Sequence, residues 1–270
     1  MGRRILLAAS LALVPVACGK EILIGADPSA SDGSGDAGAG DGASSGQGGL
    51  EPLAVPWSTG FENGFGDWSS DGQGACYVTG AATYAIVMSP SPVHSGQYAA
   101  EFTVNPAVAA PSHTRCFRQG VLPPSAYYGA WYYVPPPVET NLTNWNLIHF
   151  EGAETPDAAA AVELWDLSLA DNPDGGEAPS VYDFLRTRTL PAGPPIPIGQ
   201  WFHLEARLVR SSTAGEFTVY LDGNVVLDLQ GLETDPTAWG KWFVGNYATW
   251  LTPAPSTVYV DDVTISTTGP

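Results

Sequence analysis

EFTVYLDGNVVLDL, residues Glu216 to Leu229, places Asp222-Gly223 between two runs in which apolar and polar side chains alternate. An Asp-Gly pair accepts the positive backbone angles of a two-residue hairpin turn. Alternation at period two puts Phe217, Val219 and Leu221 on one face. The stretch therefore reads as an antiparallel hairpin with one buried side. Just upstream, Pro197 to Arg207 reads PIGQWFHLEAR, a strand leading into the hairpin, with Trp201 as its large core anchor.

Outward from the hairpin the same pattern recurs. Short aromatic and β-branched runs stand between clusters of Pro, Gly and Asp, and no stretch keeps a 3.6-residue apolar period over a dozen positions. Candidate strands before it are Thr59–Glu62, Tyr77–Thr79, Tyr84–Val87, Tyr98–Val104, His113–Arg118, Tyr128–Val134, Asn146–Glu151, Ala160–Leu169 and Val181–Leu190. Trp201–Val209 precedes it directly, and Trp242–Gly245 and Thr257–Ser266 follow it. So many strands in one domain predict an all-β, two-sheet antiparallel sandwich. Pro135-Pro136-Pro137 and the Pro191 to Pro197 segment are stiff loops with few backbone donors.

The chain ahead of this domain has a different composition. Arg3-Arg4, the apolar run Ile5 to Ala17 and a cysteine directly after it resemble a bacterial lipoprotein signal, with Ala17 before the cut and Gly19 after Cys18, although Pro15 stands where leucine is usual. An ordinary cleaved secretory signal is the competing reading. Gly25 to Gly49 has no aromatic and no large aliphatic residue, so it cannot offset the entropy of ordering. The expected organisation is a signal peptide over 1–17, a lipid-anchored disordered linker over 18–55 and one jelly-roll domain over 56–268.

The formal net charge is -18, and Lys20 and Lys241 are the only lysines. A surface this acidic repels nucleic acid and anionic membranes. It also disfavours anionic polysaccharides unless the few arginines are gathered in one place. With Cys18 acylated, Cys76 and Cys116 remain as a pair in an oxidising compartment, and a disulfide is expected. Two reduced, buried thiols are the alternative.

Several segments, in this order, resemble a concanavalin A-like jelly roll of the kind found in laminin-G-like lectin domains, carbohydrate-binding modules and polysaccharide lyases. They are Gly60-Phe61-Glu62 with Trp68, Val93-His94-Ser95-Gly96, Gly129-Ala130-Trp131-Tyr132-Tyr133, Gly199-Gln200-Trp201, Tyr220-Leu221-Asp222-Gly223 and Tyr259-Val260-Asp261-Asp262-Val263. Glucuronan-lyase-like secreted proteins are the nearest in flavour. The resemblance implies a structural calcium ion held by Glu62 with Asp261 or Asp262, the turn His94 to Gln97 adding carbonyl ligands. Solvated acidic strand ends would look the same in sequence.

Three chemistries compete for the site. A glycanase needs carboxylates at period two on one strand; Glu163 and Asp166, three apart, are expected on opposite faces. A lyase needs a group to neutralise the uronic carboxylate and a base for the C5 proton. Arg186, Arg188, Tyr182, His149 and Glu151 form the candidate set, and His113 with Arg115 share another strand face. These arginines would equally serve as partners for the abundant carboxylates. Sugar binding needs exposed rings: Trp145, Trp165, Tyr132 and Trp250 are the candidates, Trp239 and Trp242 are further ones, and about half of Tyr127, Tyr128, Tyr132 and Tyr133 should face outward. The leading expectation is a lipid-anchored, outer-membrane or surface-displayed lectin-like domain that binds a polysaccharide or other glycan. A polysaccharide lyase of the same fold comes second, and a structural or protein-interaction envelope domain third.

Overall fold

The computed structural model describes residues 51–71, 74–105, 111–140, 145–156, 161–173 and 175–269. The expected signal peptide, Cys18 and the linker before Glu51 lie outside them.

Two antiparallel sheets face each other. The first runs, in spatial order, β13 (Asn224–Leu232), β12 (Gly215–Leu221), β11 (Trp201–Val209), β6 (Ser125–Tyr133), β15 (Ser256–Ser266), β4 (Tyr98–Val104) and β3 (Thr83–Met88), with β1 (Trp57–Thr59) paired to β15 off this path. The second runs β10 (Arg188–Pro191), β9 (Glu177–Asp183), β8 (Val162–Asp171), β7 (Trp145–Ala153), β14 (Trp239–Ala248), β5 (Ser112–Gly120) and β2 (Cys76–Thr79). The all-β two-sheet expectation holds.

The hairpin forms as its sequence requires. Asp222 and Gly223 both take positive φ, 49° and 75°, and Phe217, Val219 and Leu221 of β12 are buried. Phe217 stacks at 4.3 Å on Trp165 of β8, so the hairpin is tied directly to the opposite sheet. Trp201 departs from expectation. Phe202, Leu204, Ala206 and Leu208 take the core side of β11, and Trp201 lies on the outer side near His94 and Tyr133. With two large rings adjacent, size alone does not set the phase of the strand.

Cys76 and Cys116 form a disulfide between residues paired in register on β2 and β5. Packing starts ahead of Pro56, since Leu53 is buried in the core and its N–H donates to the Val121 carbonyl.

β15 changes partner midway. Ser256 to Val260 pair with β4 and Val263 to Ile265 pair with β1, leaving Asp261 and Asp262 at the joint. Both Asp261 and the turn after Pro92 fill this gap. Asp261 Oδ2 accepts the N–H groups of His94 at 3.0 Å and Ser95 at 3.1 Å. Asp262 meets His94 Nδ1 at 2.7 Å and the Ser95 hydroxyl at 2.8 Å. Glu62 Oε1 accepts the N–H groups of Gln97 and Tyr98.

Candidate functional site

The face of the second sheet turned away from the core gathers the ionisable and aromatic side chains. Register decides which of them are neighbours. Phe243 of β14 pairs with Phe117 of β5 and His149 of β7; His149 pairs with Asp166 of β8, and Asp166 with Tyr182 of β9. One row therefore crosses the sheet from Phe117 to Tyr182. On one flank of that row, Arg115 pairs with Gly245 and Tyr77, and His113 pairs with Tyr247. On the other flank, Glu151 stands between Lys241 and Glu163.

The last pairing corrects a sequence-based expectation. Phe150 pairs with Trp165 but Glu151 pairs with Glu163, so Leu164 is an extra residue on β8. A bulge of this kind shifts the strand phase by one. Glu163 and Asp166 consequently share the outer face, and Leu164 and Trp165 both reach the core.

His149 and Asp166 form a buried pair, Nδ1 to Oδ1 at 2.6 Å, with only 3% and 6% of each residue exposed. A carboxylate facing Nδ1 holds the proton on that nitrogen and leaves Nε2 as the basic lone pair. Arg115 packs its guanidinium over Phe243 at 4.9 Å and Tyr247 at 5.1 Å. Gly245 makes this possible: a Cβ there would fall 2.2 Å from the Thr114 carbonyl oxygen, so β14 presents no side chain between the two rings. No hydrogen bond or ion pair with a described residue engages Arg115, and its Nε is buried without a partner. His113 stacks on Tyr247 at 5.5 Å. Burial, then Arg115 and His149, push its pKa down to about 3, so it is neutral and Arg115 carries the charge on this flank. At the edge Tyr77 stacks on Phe117, accepts from Lys241 Nζ at 2.8 Å and donates to Asp71. Glu163 is held above the ordinary carboxylate range, chiefly by burial; Asp166 and Glu151 add to the shift, and His149 and Arg115 oppose it.

The expected lyase set divides. His149, Glu151 and Tyr182 come together on this face. Arg186 and Arg188 do not join them: both bind Asp183, at 3.1 and 3.0 Å, and Asp183 pairs with core-facing Trp165 rather than with Asp166. Arg186 also donates to the Glu233 carbonyl. The arginines of that segment thus serve a buried carboxylate. Arg115, Asp166, Tyr247 and Lys241 complete the face. Arg115 is visible in sequence as half of His113-Thr-Arg115 at period two; Tyr247 is not, because the candidate strand Trp242–Gly245 stops short of it.

The ring candidates also divide. Trp145, Trp165 and Tyr132 are fully buried, and each of these satisfies its polar atom internally, on Asn246 Oδ1, the Thr234 carbonyl and the Leu147 carbonyl. They offer no stacking surface. Trp242 is likewise core, Trp239 is buried, and Trp250 is 49% exposed. Tyr127 and Tyr133 lie on the outer side of β6 and Tyr128 and Tyr132 on the inner. Glu62, Asp261 and Asp262 do converge on the 94–98 turn, which meets them with N–H and O–H donors. Among the described residues no group of three or more His, Cys, Asp or Glu side chains is placed to hold a metal ion.

No protein-family model matches the sequence. No curated protein matches it either. Among solved structures, an endo-β-1,4-glucuronan lyase from the fungus Trichoderma reesei aligns with a TM-score of 0.59 at 18% identity, covering 78% of this chain and 95% of that one. An alginate lyase from Chlorella virus aligns at 0.47 and 10% identity, over 71% and 93%. A carbohydrate-binding module from Bacillus subtilis aligns at 0.41 and 12%, over 72% and 96%. At 18% identity the likeness to the glucuronan lyase establishes the fold alone: the domain is a concanavalin A-like jelly-roll sandwich.

Proposed function

We propose that the domain cleaves a uronic-acid-containing polysaccharide by β-elimination on the outer face of the second sheet, displayed at the cell surface by an acylated Cys18 and the linker that follows. The observation that carries this reading is the unpaired Arg115 beside the His149–Asp166 pair. In a chain of charge -18, a half-buried guanidinium without a carboxylate partner invites an anionic ligand.

Each group has a role in the reaction. Arg115 neutralises the uronic carboxylate, which makes the C5 hydrogen acidic. His149 Nε2, oriented through Nδ1 by Asp166, takes that proton. The C4–O4 bond breaks, the C4=C5 double bond forms, and Tyr247 protonates the departing O4. His113 positions Tyr247 by stacking and, being neutral, does not compete with Arg115 for the carboxylate. The likeness to the glucuronan lyase supports the reading at the level of fold alone.

The test is incubation of the purified protein with a panel of uronans, following the ultraviolet absorbance of the unsaturated product. Product is expected, and Arg115→Ala or His149→Ala should lower the rate by roughly 10² or more in proteins that still melt cooperatively. Binding without cleavage is the second reading, favoured by the small exposure of His149 and Asp166. Retention on immobilised glycan with no product from any uronan would establish it.

A further inference from the structure

We infer that the substrate carries its uronic residues singly, separated by neutral sugars, and that Glu151 and Glu163 enforce this spacing. The inference rests on the cleavage reading above and narrows it.

Anionic side chains outnumber unpaired cations on this face. Arg115 is the one cation there, among the described residues, without an anionic partner. Lys241 pairs in register with Glu151, bonds to Tyr77 and lies 4.0 Å from Asp71 Oδ2. The other arginines are occupied away from this face: Arg186 and Arg188 by Asp183, Arg207 by Glu216, Arg210 by Asp235, and Arg118 by the Asp67 carbonyl. Against Arg115 stand Glu151, Glu163 and Asp166, in adjacent register positions made contiguous by the bulge at Leu164. Asp166 is bonded to His149; neither Glu151 nor Glu163 has a hydrogen bond or ion pair with a described residue. One substrate carboxylate balances Arg115. A second, on an adjoining sugar, finds no unpaired cation and meets Glu151 and Glu163, two carboxylates paired in register with each other. Neutral sugars meet no such penalty, and their hydroxyls donate to the two glutamates. Like charges a few ångströms apart at a protein surface weaken binding by roughly tenfold or more.

Initial rates on gellan, where neutral sugars separate the glucuronates, are compared with those on polyglucuronate and alginate, for the wild type, Glu163→Gln and the Glu151→Gln/Glu163→Gln pair. The wild type should show kcat/KM at least about tenfold higher on gellan. The double variant should close most of that gap, mainly through a lower KM on the homopolymers, and added salt should narrow it for the wild type. Equal or better wild-type cleavage of the homopolymers, or a gap unchanged in a cooperatively melting double variant, overturns the spacing inference and leaves the cleavage reading intact. Absence of product from every polymer overturns the cleavage reading instead; affinity electrophoresis in the same polymers then decides the spacing preference, equal retardation in gellan and polyglucuronate being the result against it.

Discussion

Glu205 lies on the outer side of β11 with 4% of its surface exposed and Oε1 without a hydrogen-bond partner. Its neighbours across the sheet are Gly129 and Tyr220, with His203 and Arg207 two residues away on its own strand; Arg207 is engaged by Glu216. Burial raises the Glu205 pKa from 4.5 to about 7. The folded chain therefore keeps this proton after the unfolded chain has released it. Its contribution to stability is complete below pH 4.5, falls as pH rises towards 7 and is absent above that. The interval corresponds to on the order of 3 kcal/mol. Glu205→Gln should raise the melting temperature above pH 7 and leave it nearly unchanged below pH 4.5; equal shifts at both would show that the proton on Glu205 is not the cause.

At the scale of elements, the joint in β15 is held by backbone donors of the 94–98 turn. Gly96 has φ +66°, and a Cβ there would lie 2.2 Å from Glu62 Oε1. Gly96→Ala should destabilise by about 1 to 2 kcal/mol or more, read by denaturant unfolding, with Glu62→Gln recovering little because the backbone strain remains. A calcium ion here would have to take the place of N–H donors. The proposal that it does predicts that EDTA lowers the wild-type melting temperature and spares Glu62→Gln; superimposable wild-type curves would leave the hydrogen bonds as the whole of the joint. Such local features explain what could be read from sequence. The Asp222-Gly223 hairpin and most strands were legible because period-two alternation and turn chemistry are local. The bulge at Leu164 was not, since nothing in Glu-Leu-Trp-Asp marks an extra residue until β7 lies beside it. The same limit hid Tyr247 beyond Gly245 and inverted Trp201. Val181 to Leu190 read as one strand but turns through 184–187 between β9 and β10. In the candidate site, His149, Glu151 and Tyr182 were legible as polar positions on strands; their company depends on contacts between strands far apart in sequence.

For the molecule as a whole, a charge of -18 makes the placement of a few cations decisive, and among the described residues every arginine and lysine except Arg115 has a carboxylate or carbonyl oxygen as a partner. The Cys76–Cys116 bond closes a 40-residue separation and should stabilise the fold by about 4 kcal/mol on the chain-entropy model. Cys76→Ala/Cys116→Ala is expected to lower stability by that order, and a loss near zero would show that the sandwich does not rely on the bond. A further consequence follows from where it lies. β2 is the border strand of its sheet, only Cys76–Thr79 long, and the bond rivets it over β5. Reduction would do more than soften the fold: a lifted β2 bares the hydrogen-bonding rim of β5, a strand of nine residues, to any other chain of the same kind. The disulfide is thus a guard against self-association, and light scattering after mild reduction should detect oligomers well below the temperature at which the domain melts.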